Sequence, residues 1–78
     1  MSEIGQKIKE LRKKARLSQE ELGNAIGISR QSVTAWETGK AEPDGYNVRA
    51  LAEALNTTAA YLLGEAEPAD SSSRRMRP

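Results

Sequence analysis

Cysteine and histidine are both missing from the 78 residues. Without cysteine there is no disulfide framework and no thiol nucleophile. Without histidine there is no imidazole for acid–base catalysis, and most zinc sites go with it. No apolar run approaches the roughly 20 residues that a membrane-spanning helix needs, and the front of the chain has no basic-then-apolar leader pattern, so a cytoplasmic protein with no membrane partner is expected. Net charge is small, +1, and alone it points to no partner. A chain this short forms one domain at most, and with no disulfide its support must come from helix packing or oligomerisation.

What the chain does contain is helical periodicity. Hydrophobic residues make up 37%, enough for a small helical core. Ile4, Ile8, Leu11 and Ala15 recur at intervals of four, three and four, which predicts a helix over about residues 3–15 with these side chains inward. Gly5 sits within it at some cost. Its polar face is basic: Lys7, Lys9, Arg12, Lys13, Lys14 and Arg16 stand against Glu3 and Glu10, which reads either as a solvated face or as an electrostatic footprint for an anionic partner. Ser18 followed by Glu21 is a capping box, so a second helix is expected over 19–26 with Leu22, Ala25 and Ile26 buried. Gly27 ends it.

Ser29 caps a third helix over 30–37, with Val33 and Trp36 on its inner face and Gly39 beyond its end. Lys40 to Gly45 reads as loop on its Pro and Asp-Gly signals. A fourth helix is predicted over 45–55, with Val48, Leu51, Ala52 and Leu55 inward, and a short fifth over 59–63, capped by Thr58 and closed by Gly64. From Glu65 onward the residues are polar and without period, so 1–64 is expected to be the folded domain and 65–78 a flexible tail or linker. No strand signal and no internal repeat occur. The fold class is therefore all-α, with five helices.

The informative unit is residues 19–38. Two short helices joined by so tight a turn must cross steeply. The crossing needs a small residue, supplied by Gly23, and the turn needs a positive φ, supplied by Gly27. Leu22, Ile26, Ile28, Val33 and Trp36 are spaced to hold the pair against the first helix. This is the pattern of a helix-turn-helix formed by the second and third helices.

Gln19-Glu20-Glu21-Leu22-Gly23, Ile26-Gly27-Ile28-Ser29 and Val33-Thr34-Ala35-Trp36-Glu37-Thr38-Gly39-Lys40 closely resemble the lambdoid phage repressor and Cro family. The run from Trp36 to Pro43 and the later Leu51-Ala52, Ala54-Leu55 and Tyr61-Leu62-Leu63 extend that resemblance over about residues 4–64. It implies a lambda-repressor-like DNA-binding domain whose third helix lies in the major groove of double-stranded DNA, N-terminal end toward the bases.

Carried over residue by residue, the resemblance assigns base contacts to Arg30, Gln31, Thr34 and Ala35. The chemistry suits them: Arg30 can bridge guanine O6 and N7, Gln31 adenine N6 and N7, and Ala35 and the Thr34 methyl can meet a thymine methyl. Where the family places a long polar residue this chain has Ala35, so readout is expected to rest more on Arg30 and Gln31. Gln19, at a helix N-terminus, resembles a phosphate-holding residue. Ser32, Lys40, Asn47 and Arg49 are further candidates for DNA-backbone contact, which sets position and affinity rather than sequence. Arg12 and Glu37 match a family ion pair between the first and third helices, with two independent surface charges as the alternative.

The resemblance also implies a homodimer on a palindromic operator, with half-sites roughly 34 Å apart. The expected dimer surface is Thr58, Tyr61, Leu62 and Leu63, and a weak dimer formed mainly on DNA is anticipated. Transcriptional repression is the expected role. Glu20 and Glu21 are candidates to face RNA polymerase, which leaves an activating role open. An antitoxin-like or other protein-interaction regulator on the same fold is the alternative. The chain reads either as a short Cro-type regulator or as the DNA-binding half of a larger repressor. No enzymatic activity, cofactor or metal site is expected.

Overall fold

The computed structural model describes residues 3–65. Five helices follow in order: α1 (Glu3–Lys14), α2 (Gln19–Ile26), α3 (Arg30–Thr38), α4 (Gly45–Ala54) and α5 (Ala59–Leu62). No strand occurs among the described residues. The expected boundaries at 15, 37, 55 and 63 each move by one residue, a normal consequence of fraying final turns. The tail expected at 65–78 lies outside the described residues from position 66 on.

Each helix carries its own stop, and α2 to α5 each carry their own start. Ser18, Ser29, Asp44 and Thr58 hold extended backbone before α2, α3, α4 and α5, and each accepts a backbone N–H three residues on. At α2 the box is complete: Ser18 Oγ accepts from the Glu21 N–H at 2.9 Å, and Glu21 Oε1 accepts from the Ser18 N–H at 2.8 Å. The stops are left-handed residues at Arg16, Gly27, Gly39, Asn56 and Gly64. The N–H after each returns to a carbonyl in the preceding turn, as from Leu17 to Arg12 and from Ile28 to Gly23, which is the paired closure of a Schellman motif. Replacing Ser18 with alanine removes the bond that Ser18 Oγ accepts and leaves the one that its backbone N–H donates to Glu21. Urea unfolding is expected to show a loss of about 1 kcal/mol, whereas an unmoved midpoint would show that the cap adds nothing.

The core is Ile8, Leu22, Val33, Trp36, Val48, Leu51, Ala52, Leu55 and Leu62, drawn from all five helices and the residue that closes α4. Burial of each large aliphatic residue removes enough apolar surface from water to favour folding by about 1.5–3 kcal/mol. α3 packs on α1 and α2, α4 on α2 and α5, and α5 returns to α1. The α2–α3 pair is thus gripped from both sides, by α1 and by α4.

Two expected core positions are corrected. Ala15 and Ala25 are exposed. α1 stops at Lys14, so Ala15 lies past the helical stripe, and the buried line of α1 runs through Gly5, Ile8 and Arg12 instead, with Ile4 and Leu11 at its margins. On α2 the inward residues are Leu22 and Gly23, with Ile26 half-buried. No helix among the described residues is long and apolar enough to cross a membrane.

Candidate nucleic-acid interface

The steep crossing of α2 and α3 is set by backbone contact. A Cβ on Gly23 would stand 2.3 Å from the Ile28 carbonyl oxygen, so only glycine permits this approach. Gly27, at φ 75°, then turns the chain, and Ser29 starts α3 three residues after α2 ends. Ser29 Oγ accepts from the Ser32 N–H at 3.2 Å and also donates to Ser32 Oγ at 3.2 Å. The first turn of α3 is thereby fixed before any ligand arrives.

That turn carries Arg30 and Gln31, both exposed. Among the described residues no hydrogen bond or ion pair engages either side chain. Val33 and Trp36 face inward, and Thr34 and Ala35 are half-buried on the flank between. α3 thus presents two free, long, hydrogen-bonding side chains at its N-terminal end, which is the chemistry a base edge in the major groove requires.

Behind α3 lies a network that crosses three elements. Arg12 Nε donates to Glu37 Oε2 at 2.6 Å and Nη2 to Glu37 Oε1 at 3.0 Å, a bidentate pair joining α1 to α3. Arg12 Nη1 donates to the Leu17 carbonyl at 2.9 Å, holding the turn before α2. Arg12 is only 9% exposed. Its guanidinium pKa lies above the ordinary arginine value. The hydrogen bond to Glu37 is the largest cause, aided by charge attraction and opposed by desolvation. Arg12 therefore keeps its charge, and the pair its full strength, until the pH rises past the ordinary arginine range.

Gln19 joins the same network. Its Nε2 donates to Glu37 Oε1 at 3.1 Å, and its Oε1 accepts from Thr34 Oγ1 at 2.9 Å. The structure therefore brings Arg12, Gln19, Thr34 and Glu37 into one connected group. The Gln19–Thr34 contact is not legible in the sequence. Gly5 was also misjudged there, as a mere helix cost. A Cβ on it would stand 2.3 Å from the Trp36 carbonyl oxygen and 3.0 Å from that of Glu37. The usable signal was spacing: Gly5 shares the face of Ile8 and Arg12, and a glycine on a buried stripe marks a close approach.

The remaining candidates are scattered. Lys40 is exposed just past α3, its N–H bonded to the Ala35 carbonyl at 2.9 Å. Asn47, in the first turn of α4, donates its N–H to Asp44 Oδ1 at 2.9 Å, while its own Oδ1 is buried with no hydrogen-bond partner among the described residues. Arg49 is not grouped with them: it shares a depression on the outer side of α4 with Tyr46, Ala50 and Glu53.

At the far end, Lys7 Nζ donates to the Tyr61 carbonyl at 3.1 Å and stands 4.9 Å from the centre of its ring, tying α5 to α1 by a hydrogen bond and a cation–π contact. Thr58 is exposed, its hydroxyl accepting from the Tyr61 N–H. Leu62 is corrected as a dimer candidate: at 1% exposure it belongs to the core, so it has no surface to give a partner. Leu63, 53% exposed, does.

Comparison with known proteins agrees with this architecture. The helix-turn-helix family matches residues 8–62. Repressor protein C2 of Salmonella phage P22 is 38% identical over 60 residues, which cover 77% of this chain and 28% of that protein. The regulator DicA of Escherichia coli (strain K12) is 38% identical over 60 residues, covering 77% of this chain and 44% of that one. The chain thus spans less than half the length of either curated relative. The crystal structure of the P22 c2 repressor with a synthetic operator superposes with a TM-score of 0.79 at 35% identity, covering 85% of this chain and 100% of that chain. The regulator SinR in complex with DNA gives 0.73 at 26% identity, covering 77% and 97%. With its helical pattern, its α2–α3 geometry and these matches in agreement, the chain belongs to the helix-turn-helix family.

Proposed function

We propose that this chain is a sequence-specific double-stranded-DNA-binding regulator of the repressor type, acting in the cytoplasm through its domain of residues 1–64, with 65–78 as a tail or linker. The observation that carries the proposal is the first turn of α3: Arg30 and Gln31 are exposed, with no side-chain bond among the described residues, on a helix whose start is capped and whose end is pinned by Glu37. Similarity to a repressor solved with its operator supports the reading. On this reading Arg30, Gln31, Thr34 and Ala35 meet base edges. Gln19, Ser32, Lys40 and Asn47 meet phosphates, with Arg49 a peripheral contributor. Two copies meet through Thr58, Tyr61 and Leu63 on a palindromic operator, and Glu20 and Glu21 stay exposed for a contact with polymerase.

Selection of binding sites from a random duplex library at physiological salt tests it. The expected pool is a palindrome with two short half-sites. Arg30→Ala and Gln31→Ala are each expected to relax preference at one base pair per half-site, by about 1–3 kcal/mol. Lys40→Ala is expected to weaken all sites alike and to reduce the salt slope by about 1. A library with no enriched sequence would refute sequence-specific recognition by this chain.

A further inference from the structure

We infer that Gln19 fixes the hydrogen-bonding polarity of Thr34, and through it decides which base edge the recognition helix accepts at that position. The inference rests on the DNA-binding reading above. It goes beyond the role of Gln19 as a phosphate contact.

The argument follows proton ownership along the network. The Glu37 carboxylate, paired with a guanidinium, accepts at both oxygens: Oε2 from Arg12 Nε, and Oε1 from Arg12 Nη2 and Gln19 Nε2. An acceptor-only neighbour leaves the Gln19 amide one orientation, nitrogen toward Glu37. Its Oε1 then faces Thr34 Oγ1 at 2.9 Å. An amide oxygen carries no proton, so the hydroxyl must donate. The proton of Thr34 is committed by an ion pair two links away.

A threonine on a recognition helix is ordinarily indifferent, able to donate or accept at any base edge. Thr34 is not. What it retains is acceptor lone pairs and a methyl group. It can accept from the amino groups of adenine N6 or cytosine N4, or lie against the thymine methyl. To donate to guanine O6 or N7 it must first break its bond to Gln19. Half-burial of both Gln19 and Thr34 keeps that bond partly shielded from water, where it is harder to exchange.

A phosphate contact and a polarity-setting contact give different signatures. Binding-site selection is run with the 78-residue chain, with Gln19→Ala, and with Gln19→Met, which keeps side-chain length without either hydrogen bond. Thr34 side-chain scalar couplings are measured by NMR on the same proteins without DNA. The wild-type pool is expected to exclude guanine on the strand facing Thr34 at one position per half-site. Both variants should readmit it, shifting that preference about fivefold, the equivalent of one neutral hydrogen bond, while preferences at the other positions persist. Thr34 should pass from a single staggered rotamer in the wild type to averaged couplings in the variants. Equal weakening of every sequence in both variants would overturn the inference, as would averaged Thr34 couplings in the wild type. A wild-type pool that enriches nothing would overturn the DNA-binding reading and this inference with it.

Discussion

Replacing Glu37 with alanine is expected to cost about 3–5 kcal/mol of unfolding free energy, read from urea denaturation. The loss comes from what is left behind. The Arg12 side chain is 11% exposed and that of Glu37 3%, so removing the carboxylate strands a guanidinium that is held by α1 and has lost two of its three bonds. Domains of this size have total stabilities near the low end of about 5–15 kcal/mol, so the variant is expected to be largely unfolded at ambient temperature. The double variant Arg12→Met, Glu37→Leu is the informative control. A buried ion pair replaced by apolar residues of similar volume is often neutral or better, so most of the loss should return. If the single variant unfolds at the wild-type urea concentration, the pair is no structural element. The double variant should also lose the fixed placement of Gln19, because the oxygen that orients its amide is gone.

The second expected effect runs against helix propensity. Alanine favours a helix interior over glycine by about 1 kcal/mol, yet Gly5→Ala is expected to destabilise by about 2–3 kcal/mol. The added methyl would meet the backbone oxygens of Trp36 and Glu37, which cannot rotate away as a side-chain tip could. α1 must then withdraw from α3, at the cost of an overpacked site and of the Arg12–Glu37 geometry beside it. Thermal unfolding gives the sign. A raised melting temperature would mean that α1 slides without penalty and that glycine has no packing role here.

How far the sequence went is clearest at the helix ends. Ser18, Ser29 and Thr58 announced three starts, and Gly27, Gly39 and Gly64 three stops, because each acts through bonds to its own neighbours. The end of α1 was less legible. Arg16 adopts a positive φ of 62°, a conformation that arginine seldom advertises, and Ala15 was therefore assigned to the helix. Burial of α3 was legible from the three-residue spacing of Val33 and Trp36. The Gln19–Thr34 bond was not: the tight turn and Gly23 announce that the two helices cross steeply, but not which polar side chains the crossing brings within 2.9 Å. Leu62 and Leu63 illustrate the same limit. They are adjacent in sequence, and only the return of α5 to α1 decides that the first is core and the second surface.

The stops have a kinetic consequence. Every helix ends, and α2 to α5 also begin, on bonds closed within a few residues, so each can be punctuated without waiting for distant chain. Small helical domains dominated by such local contacts fold in microseconds to milliseconds. The Arg12–Glu37 pair, by contrast, spans 25 positions, and the chain between them must be ordered before the two side chains meet, a closure whose entropy cost rises slowly with loop length. The latch between α1 and α3 is therefore expected to close after the helices it joins, so that Glu37→Ala should speed unfolding more than it slows folding in stopped-flow urea jumps.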